Sequence, residues 1–343
     1  MKNGNGSVRR CLILFGACLL PAAPLTAQAV QPAARVVTPA ALDQEIQRLA
    51  EGAGGIVGVA AWRLDGKGPS TLLNGDQAFP MASTFKVAVA GRILAQVDAG
   101  ELTLLQMVEV TPDLIVPSAV IADRLIHPGI SLSVHNLLEL MMTQSDNSAT
   151  DVLTKLAGGP AAVTRWVRDQ GVEAQRIDRD TGRLLRDFYS LPEGSFVEAY
   201  ATALKSQPEI AQRSSQPYPA FDKDPRDTSS PRAMADLLTR IFSGRALSPE
   251  STKVLTAIME RCRTGAERLP GQMPPGTVIA HKTGTIGGTV NDVGMITLPG
   301  DAGQIVIAVF VKESSRPTAD RERAIAEIAR TVRDHYLLTS GAD

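Results

Sequence analysis

Gln304-Ile305-Val306-Ile307-Ala308-Val309-Phe310-Val311, close to the C-terminus, is an apolar, β-branched run of strand length. Its counterpart in character lies at the opposite end of the chain, in Ile56-Val57-Gly58-Val59-Ala60-Ala61-Trp62-Arg63. There Asp65-Gly66-Lys67-Gly68 supplies a turn, so that Thr71–Leu73 can pair back. Segments 277–281 and 293–298 add two more strands near the end. Between these groups the spacing is helical: Val87, Ile93, Leu94 and Val97 run until Gly100, and Val134, Leu137, Leu138 and Met141 follow Ser133 as cap. Further helices are expected over 149–156, 160–169, 231–242 and 249–261. Thr38-Pro39 opens a helix through Leu42, Ile46 and Leu49, and a last helix carries Ile325, Ile328, Ala329 and Val332 on one face. Strands at both ends with helices between them predict an α+β fold. An antiparallel sheet built from both chain ends is flanked by the terminal helices and carries an inserted all-helical domain. The α/β part is expected at about 38–80 and 262–337, and the helical part at about 83–260.

The 343 residues carry 35 basic and 36 acidic side chains, a balance that argues against a polyanion as partner. With 44% hydrophobic residues the chain can fill a sizeable core. Residues 1–29 read as a secretory signal: Arg9 and Arg10, a short apolar run from Cys11 to Leu20, and a small-residue site at Ala27-Gln28-Ala29. Cleavage after Ala29 would deliver the protein to the periplasm or outside, with 30–37 as a leader. An uncleaved anchor and a lipoprotein box ending at Cys18 are the other readings of this segment. No later run suggests a membrane span. Of three cysteines only Cys262 would survive processing, so no internal disulfide is expected, and Cys262 reads as a small buried residue. The four histidines lack metal-ligand spacing, which disfavours a zinc hydrolase, and no cofactor is implied.

Three short motifs carry chemistry. Ser83-Thr84-Phe85-Lys86 starts a helix and places an amine three residues after a hydroxyl, on one helix face. A lysine in a partly dry, cationic pocket can lose its proton and act as a base toward the serine. Alone the pattern is weak, since roughly one chain in two of this composition shows it by accident. Ser145-Asp146-Asn147 falls between two helices; it arises by chance in about a few per cent of chains, and its bland role is capping the helix that follows. Lys282-Thr283-Gly284-Thr285 follows a strand, where Gly284 lets a substrate approach the backbone. All three in this order arise by accident in roughly one chain in a thousand or fewer.

The motifs, their order and their separations resemble those of the class A serine β-lactamases, within the penicillin-recognising fold. Pro225-Arg226-Asp227-Thr228 and Asn291-Asp292-Val293-Gly294 extend the resemblance over most of the chain. It implies Ser83 as the acylated nucleophile and Lys86 as its activating neighbour. Ser145 would pass a proton to the leaving nitrogen, and Asn147 would bind the substrate's side-chain amide. Lys282, Thr283 and Thr285 would hold its carboxylate, with the Ser83 and Thr285 N–H groups as the oxyanion hole. The partner implied is a small β-lactam or a related acyl-D-amino-acid, acted on by a monomer.

The resemblance breaks at deacylation. Family members activate water with a Glu and a nearby Asn on a loop tied by an Arg and an Asp. Arg179 and Asp227 are the counterparts of that tie, but Asp180-Thr181-Gly182 stands where the Glu is expected, and no Asn occurs between Asn147 and Asn291. The long 180–226 segment offers Glu198 and Glu193, ahead of Glu209, as candidate bases, against a plain reading as surface carboxylates. Three functions follow: a β-lactam hydrolase, a D-alanyl peptidase or esterase on the same fold, and a slowly deacylating β-lactam-binding protein.

Overall fold

The structure, a computed structural model, describes residues 39–339 apart from 119, 126 and 128. The signal segment, the leader and the Thr38 cap lie outside the described residues. In chain order the elements are α1 (Pro39–Glu51), β1 (Ile56–Arg63), β2 (Thr71–Leu73), β3 (Phe79–Pro80), a 3-10 turn (Ala82–Phe85), α2 (Lys86–Asp98), β4 (Met107–Glu109), α3 (Ile121–Arg124), β5 (Ser131–Ser133), α4 (Val134–Thr143), α5 (Asn147–Leu156) and α6 (Pro160–Asp169). They continue with α7 (Thr181–Tyr189), α8 (Phe196–Ser206), α9 (Ile210–Arg213), α10 (Pro219–Asp222), β6 (Thr228–Ser229), α11 (Pro231–Phe242), α12 (Pro249–Glu260), β7 (Ile279–Ile286), β8 (Thr289–Thr297), β9 (Gln304–Lys312) and α13 (Thr318–Thr339).

The main sheet has the order β2-β1-β9-β8-β7 and its pairs are antiparallel. It joins the two ends of the chain, as the sequence predicts, because β1 and β9 pair along their full length, from Ile56 against Lys312 to Arg63 against Ile305. Period-two alternation sends Ile305, Ile307, Val309 and Val311 to a face covered by Leu42 and Ile46 of α1 and Ile325, Ile328 and Val332 of α13. Val306, Ala308 and Phe310 face the other side, toward Met234 and Leu238 of α11 and the helical core. Both faces are buried, so β9 reads as one continuous apolar run although its neighbours are antiparallel.

Two strands differ from the sequence reading. β7 extends to Ile286, so Lys282-Thr283-Gly284 lies inside a strand instead of following one, and β8 begins at Thr289, four residues before the apolar run. Several of the extra residues are polar yet buried, and tertiary contacts satisfy Asn291 and Asp292. Asn291 donates to the Pro80 and Met81 carbonyls at 2.9 and 3.0 Å, and Asp292 meets His281. Hydrophobic patterning does not register strand residues stabilised in this way.

Candidate active site

The turn that carries Ser83 is a strained piece of backbone held from two sides. Ala82 has φ of +46°, a left-handed conformation that a non-glycine residue rarely adopts. The Asn291 side chain grips the carbonyls before it, and the Met81 N–H donates to the Asp227 carbonyl at 3.0 Å. β7 then lies against the turn so closely that a Cβ on Gly284 would sit 2.6 Å from the Met81 oxygen and 3.2 Å from the Ser83 nitrogen. Only glycine permits that approach. It brings Thr285, which is exposed toward solvent, next to the start of the Ser83 turn.

Lys86, fully buried at the start of α2, spends its three donors on α4–α5 turn atoms: the Ser145 carbonyl at 2.7 Å, Ser145 Oγ at 3.2 Å and Asn147 Oδ1 at 2.9 Å. The Ser83 carbonyl accepts from the Lys86 N–H, while among the described residues its hydroxyl makes no hydrogen bond and none of the three Lys86 Nζ bonds goes to it. Burial holds the Lys86 amine well below its ordinary range, with Lys282 pushing the same way and Asp151 and Asp146 opposing. Burial thus favours the neutral form of this amine, the form able to accept a proton.

Ser145 sits in the left-handed region, with φ of +56°, which turns its carbonyl and hydroxyl toward the two lysines. Asp146 caps α5 through the Ala149 N–H at 2.9 Å and also accepts from Val120 and Ile121 N–H groups. The capping reading of the motif is thus realised, with Ser145 beside the cap bonded to both lysines. Lys282 Nζ donates to Ser145 Oγ at 3.0 Å and to the Thr283 carbonyl at 2.9 Å, and burial brings its amine down to about 8. One Asn147 Nδ2 hydrogen goes to the Pro117 carbonyl at 2.8 Å, which leaves the other for a ligand.

Two residues the sequence did not single out complete this end of the cleft. Arg268, buried, donates to Thr285 Oγ1 at 2.7 Å and to the Gly284 and Asn291 carbonyls, and Thr264 Oγ1 lies 2.6 Å from Thr283 Oγ1. Both precede β7 in an irregular segment with no periodic signal to mark them.

The long segment is anchored as the sequence suggests. Arg179 Nε meets Asp227 Oδ2 at 2.6 Å, and Asp227 Oδ1 accepts from the Asp178 and Arg179 N–H groups. Ala82, Leu184, Phe188, Phe221 and Ile286 form a small core that seats the segment against the Ser83 turn and the end of β7. At its start Asp151, on α5, accepts from the Thr181 and Gly182 N–H groups at 2.7 and 2.8 Å. Burial and the neighbouring Asp180 charge push its carboxyl up to about 7. Glu193 and Glu198 are exposed, one before α8 and one in its first turn, and neither is hydrogen-bonded to Ser83, Lys86 or Ser145.

The chain that brings these hydroxyls and amines together matches a known family. Residues 41–336 fit the model of the β-lactamase enzyme family. The chain belongs to that family. It is 31% identical over 298 residues to the extended-spectrum β-lactamase PER-1 of Pseudomonas aeruginosa, covering 84% of this chain and 85% of that protein. β-Lactamase VEB-1 of the same organism is 29% identical over 291 residues, covering 82% of this chain and 85% of that one. Among solved structures, the ancestral GNCA class A β-lactamase superposes with a TM-score of 0.70 at 32% identity, over 85% of this chain and 99% of that one. Within the family this chain is of the class A serine type.

Proposed function

We propose that this family member is a secreted, monomeric hydrolase that opens β-lactam rings through an acyl-enzyme at Ser83, and so confers resistance to β-lactam antibiotics. The observation that carries the reading is the chain Lys86 Nζ–Ser145 Oγ–Lys282 Nζ, with links of 3.2 and 3.0 Å, beside the Ser83 turn. Neutral Lys86 takes the Ser83 proton as Oγ attacks the ring carbonyl. The Ser83 and Thr285 N–H groups stabilise the oxyanion. Ser145 hands a proton to the departing ring nitrogen, while Lys282, Thr283 and Thr285 hold the carboxylate and Asn147 binds the side-chain amide. Secretion rests on the N-terminal segment, and no helix of the described residues is long and apolar enough to cross a membrane.

Release of the acyl group is the slow half of the cycle in this reading. Backbone N–H groups of Thr181 and Gly182, bound to Asp151, stand at the start of the loop where the family's Glu is expected. A slowly deacylating β-lactam-binding protein is therefore the second reading. Incubation with a penicillin, followed by both ring opening and intact mass, decides between them. Sustained hydrolysis that Ser83→Ala abolishes supports the hydrolase. A persistent one-to-one adduct without turnover supports the binding protein, and ester hydrolysis without any adduct would point to a peptidase or esterase.

A further inference from the structure

β7 is open to solvent at Thr285 and covered from Ile286 onward. The cover is the strap 213–217, which runs from the end of α9 to just before α10 and crosses the β7–β8 turn. Contact is direct. A Cβ on Gly287 would stand 2.9 Å from the Gln216 carbonyl oxygen, 3.3 Å from that of Arg213 and 3.2 Å from Phe188 Cζ. One on Gly288 would stand 2.9 Å from Pro217 Cα and 3.1 Å from Pro217 Cγ. Gly287 also has φ of +54°, so both its backbone and its neighbours demand glycine.

Arg321, fully buried near the start of α13, ties the strap to the turn. Its Nη1 donates to the Gly287 carbonyl at 3.0 Å, and its Nη2 to the Ser215 carbonyl at 3.2 Å and to Thr318 Oγ1 at 3.1 Å. The strap is also fastened to its own segment. The Arg213 guanidinium lies 4.7 Å from the Tyr218 ring centroid, and its Nη1 donates to the Phe188 carbonyl at 3.3 Å. Phe188 meets Tyr218 and Phe221 edge-on, at 5.8 and 5.1 Å between centroids, within the small core that includes Ala82 and Ile286. Held by α13 on one side and by that core on the other, the strap is a fixed wall at the end of β7.

The order of groups in a β-lactam gives this wall a consequence. The ring nitrogen leads to the carbon that bears the carboxylate, and the carbon on the other side of the ring carbonyl bears the acylamino group. With the carboxylate at Lys282 and Thr283 and the ring carbonyl at the Thr285 N–H, the acylamino group continues along β7 toward Ile286, Gly287 and Gly288. A strand advances about 3.4 Å per residue, so roughly 7 Å separates Thr285 from Gly287, room for the amide and a slender acyl group before the strap. We propose that the strap 213–217, fixed by Arg321, is a specificity wall that admits β-lactams with a small or slender acyl group and rejects those branched next to the amide. The inference rests on the acyl-enzyme reading given under Proposed function and names the substrate class of that site. Arg321 is a positioning residue here, acting through the strap.

The test follows acylation of Ser83 by intact mass, so the rate of acyl release does not enter. The probes are penicillanic acids acylated at the 6-amine with acetyl, phenylacetyl or diphenylacetyl groups, which share ring, carboxylate and amide. In the unaltered chain acetyl and phenylacetyl probes should react at similar rates, and the diphenylacetyl probe roughly 10- to 200-fold more slowly, the range over which a pocket discriminates by size. Arg321→Ala should raise the diphenylacetyl rate about tenfold or more and leave the acetyl rate within about twofold. A variant that was merely destabilised would lose rate on all three probes in proportion. Pro217→Gly, which loosens the strap from within, carries the same expectation if Arg321→Ala folds poorly. The ratio in the unaltered chain decides alone if both variants do. Equal rates for the three probes in the unaltered chain, or unchanged selectivity in a folded variant, overturn the wall. Absence of any Ser83 adduct even with the acetyl probe would instead overturn the acyl-enzyme reading on which the wall rests.

Discussion

Lys282 Nζ and Ser145 Oγ, 137 positions apart in the chain, meet across 3.0 Å. The contact joins the cation that would hold the substrate carboxylate to the hydroxyl that would protonate its nitrogen, so the charge on Lys282 serves both. Burial brings that amine down to about 8. Because its folded value is below the ordinary one, the charged form is complete in acid and is lost as pH rises through about 8. For a carboxylated β-lactam, kcat/KM should therefore fall on an alkaline limb with a midpoint near 8, mainly through KM. The same substrate as its methyl ester should lack the limb. Lys282→Ala should cost roughly 10- to 150-fold in kcat/KM, the equivalent of about 1.5–3 kcal/mol for one charge-assisted hydrogen bond.

Gly284→Ala tests the close passage of β7 over the Ser83 turn. The added methyl carbon would stand 2.6 Å from the Met81 carbonyl and 3.2 Å from the Ser83 nitrogen, both backbone atoms. Neither can swing away as a side chain would, so β7 must retreat. The expected result is a loss of about 1–3 kcal/mol in stability by denaturant titration. Acylation of Ser83, followed by mass, should slow by at least tenfold, because the oxyanion donors no longer converge. Unchanged acylation would show that the turn and the strand are not rigidly coupled.

Arg179→Ala tests the anchor of the long segment. Its guanidinium serves Asp227 at 2.6 Å, Asp187 at 2.7 Å and Asp224 at 3.4 Å, and both it and Asp227 are almost completely buried. Removing one member of such a group leaves a carboxylate without its cation and costs about 3–5 kcal/mol. Hydrogen exchange should accelerate over 178–227 first, since Asp227 also holds the Asp178 and Arg179 N–H groups. Exchange that rises evenly over the whole chain would contradict a local anchor.

Glu193→Gln and Glu198→Gln address release of the acyl group. Both residues are exposed and line a surface hollow beside α8 whose lining includes none of Lys86, Ser145 and Lys282. Neither substitution should make the acyl-enzyme accumulate in quenched-flow mass spectra. Accumulation in either variant would show that the segment folds onto Ser83 during turnover.

Much of this was legible in the chain. Apolar runs at 56–63 and 304–311 announced a sheet joining both ends, because a run of that length and composition must be covered on its faces. Ser83, Lys86, Ser145 and Lys282 stood out because each belongs to a short ordered motif. Arg268 and Thr264 did not, since a single residue in an irregular segment has no spacing to reveal it. The first half of β8 escaped for a related reason: Asn291 and Asp292 look like loop residues until the Pro80 carbonyl and His281 are placed beside them.

The sequence by itself determined which groups are available: two serine hydroxyls, two amines and an amide, in a fixed order. Local chemistry also settled the turn residues and caps, such as Asp146 before α5. Only the tertiary structure decided how those groups work. Burial takes water from Lys86 and Lys282 and so lowers both amines, and the dense approach of β7 to the Ser83 turn places Thr285 beside it. Desolvation and distance are properties of the packed chain.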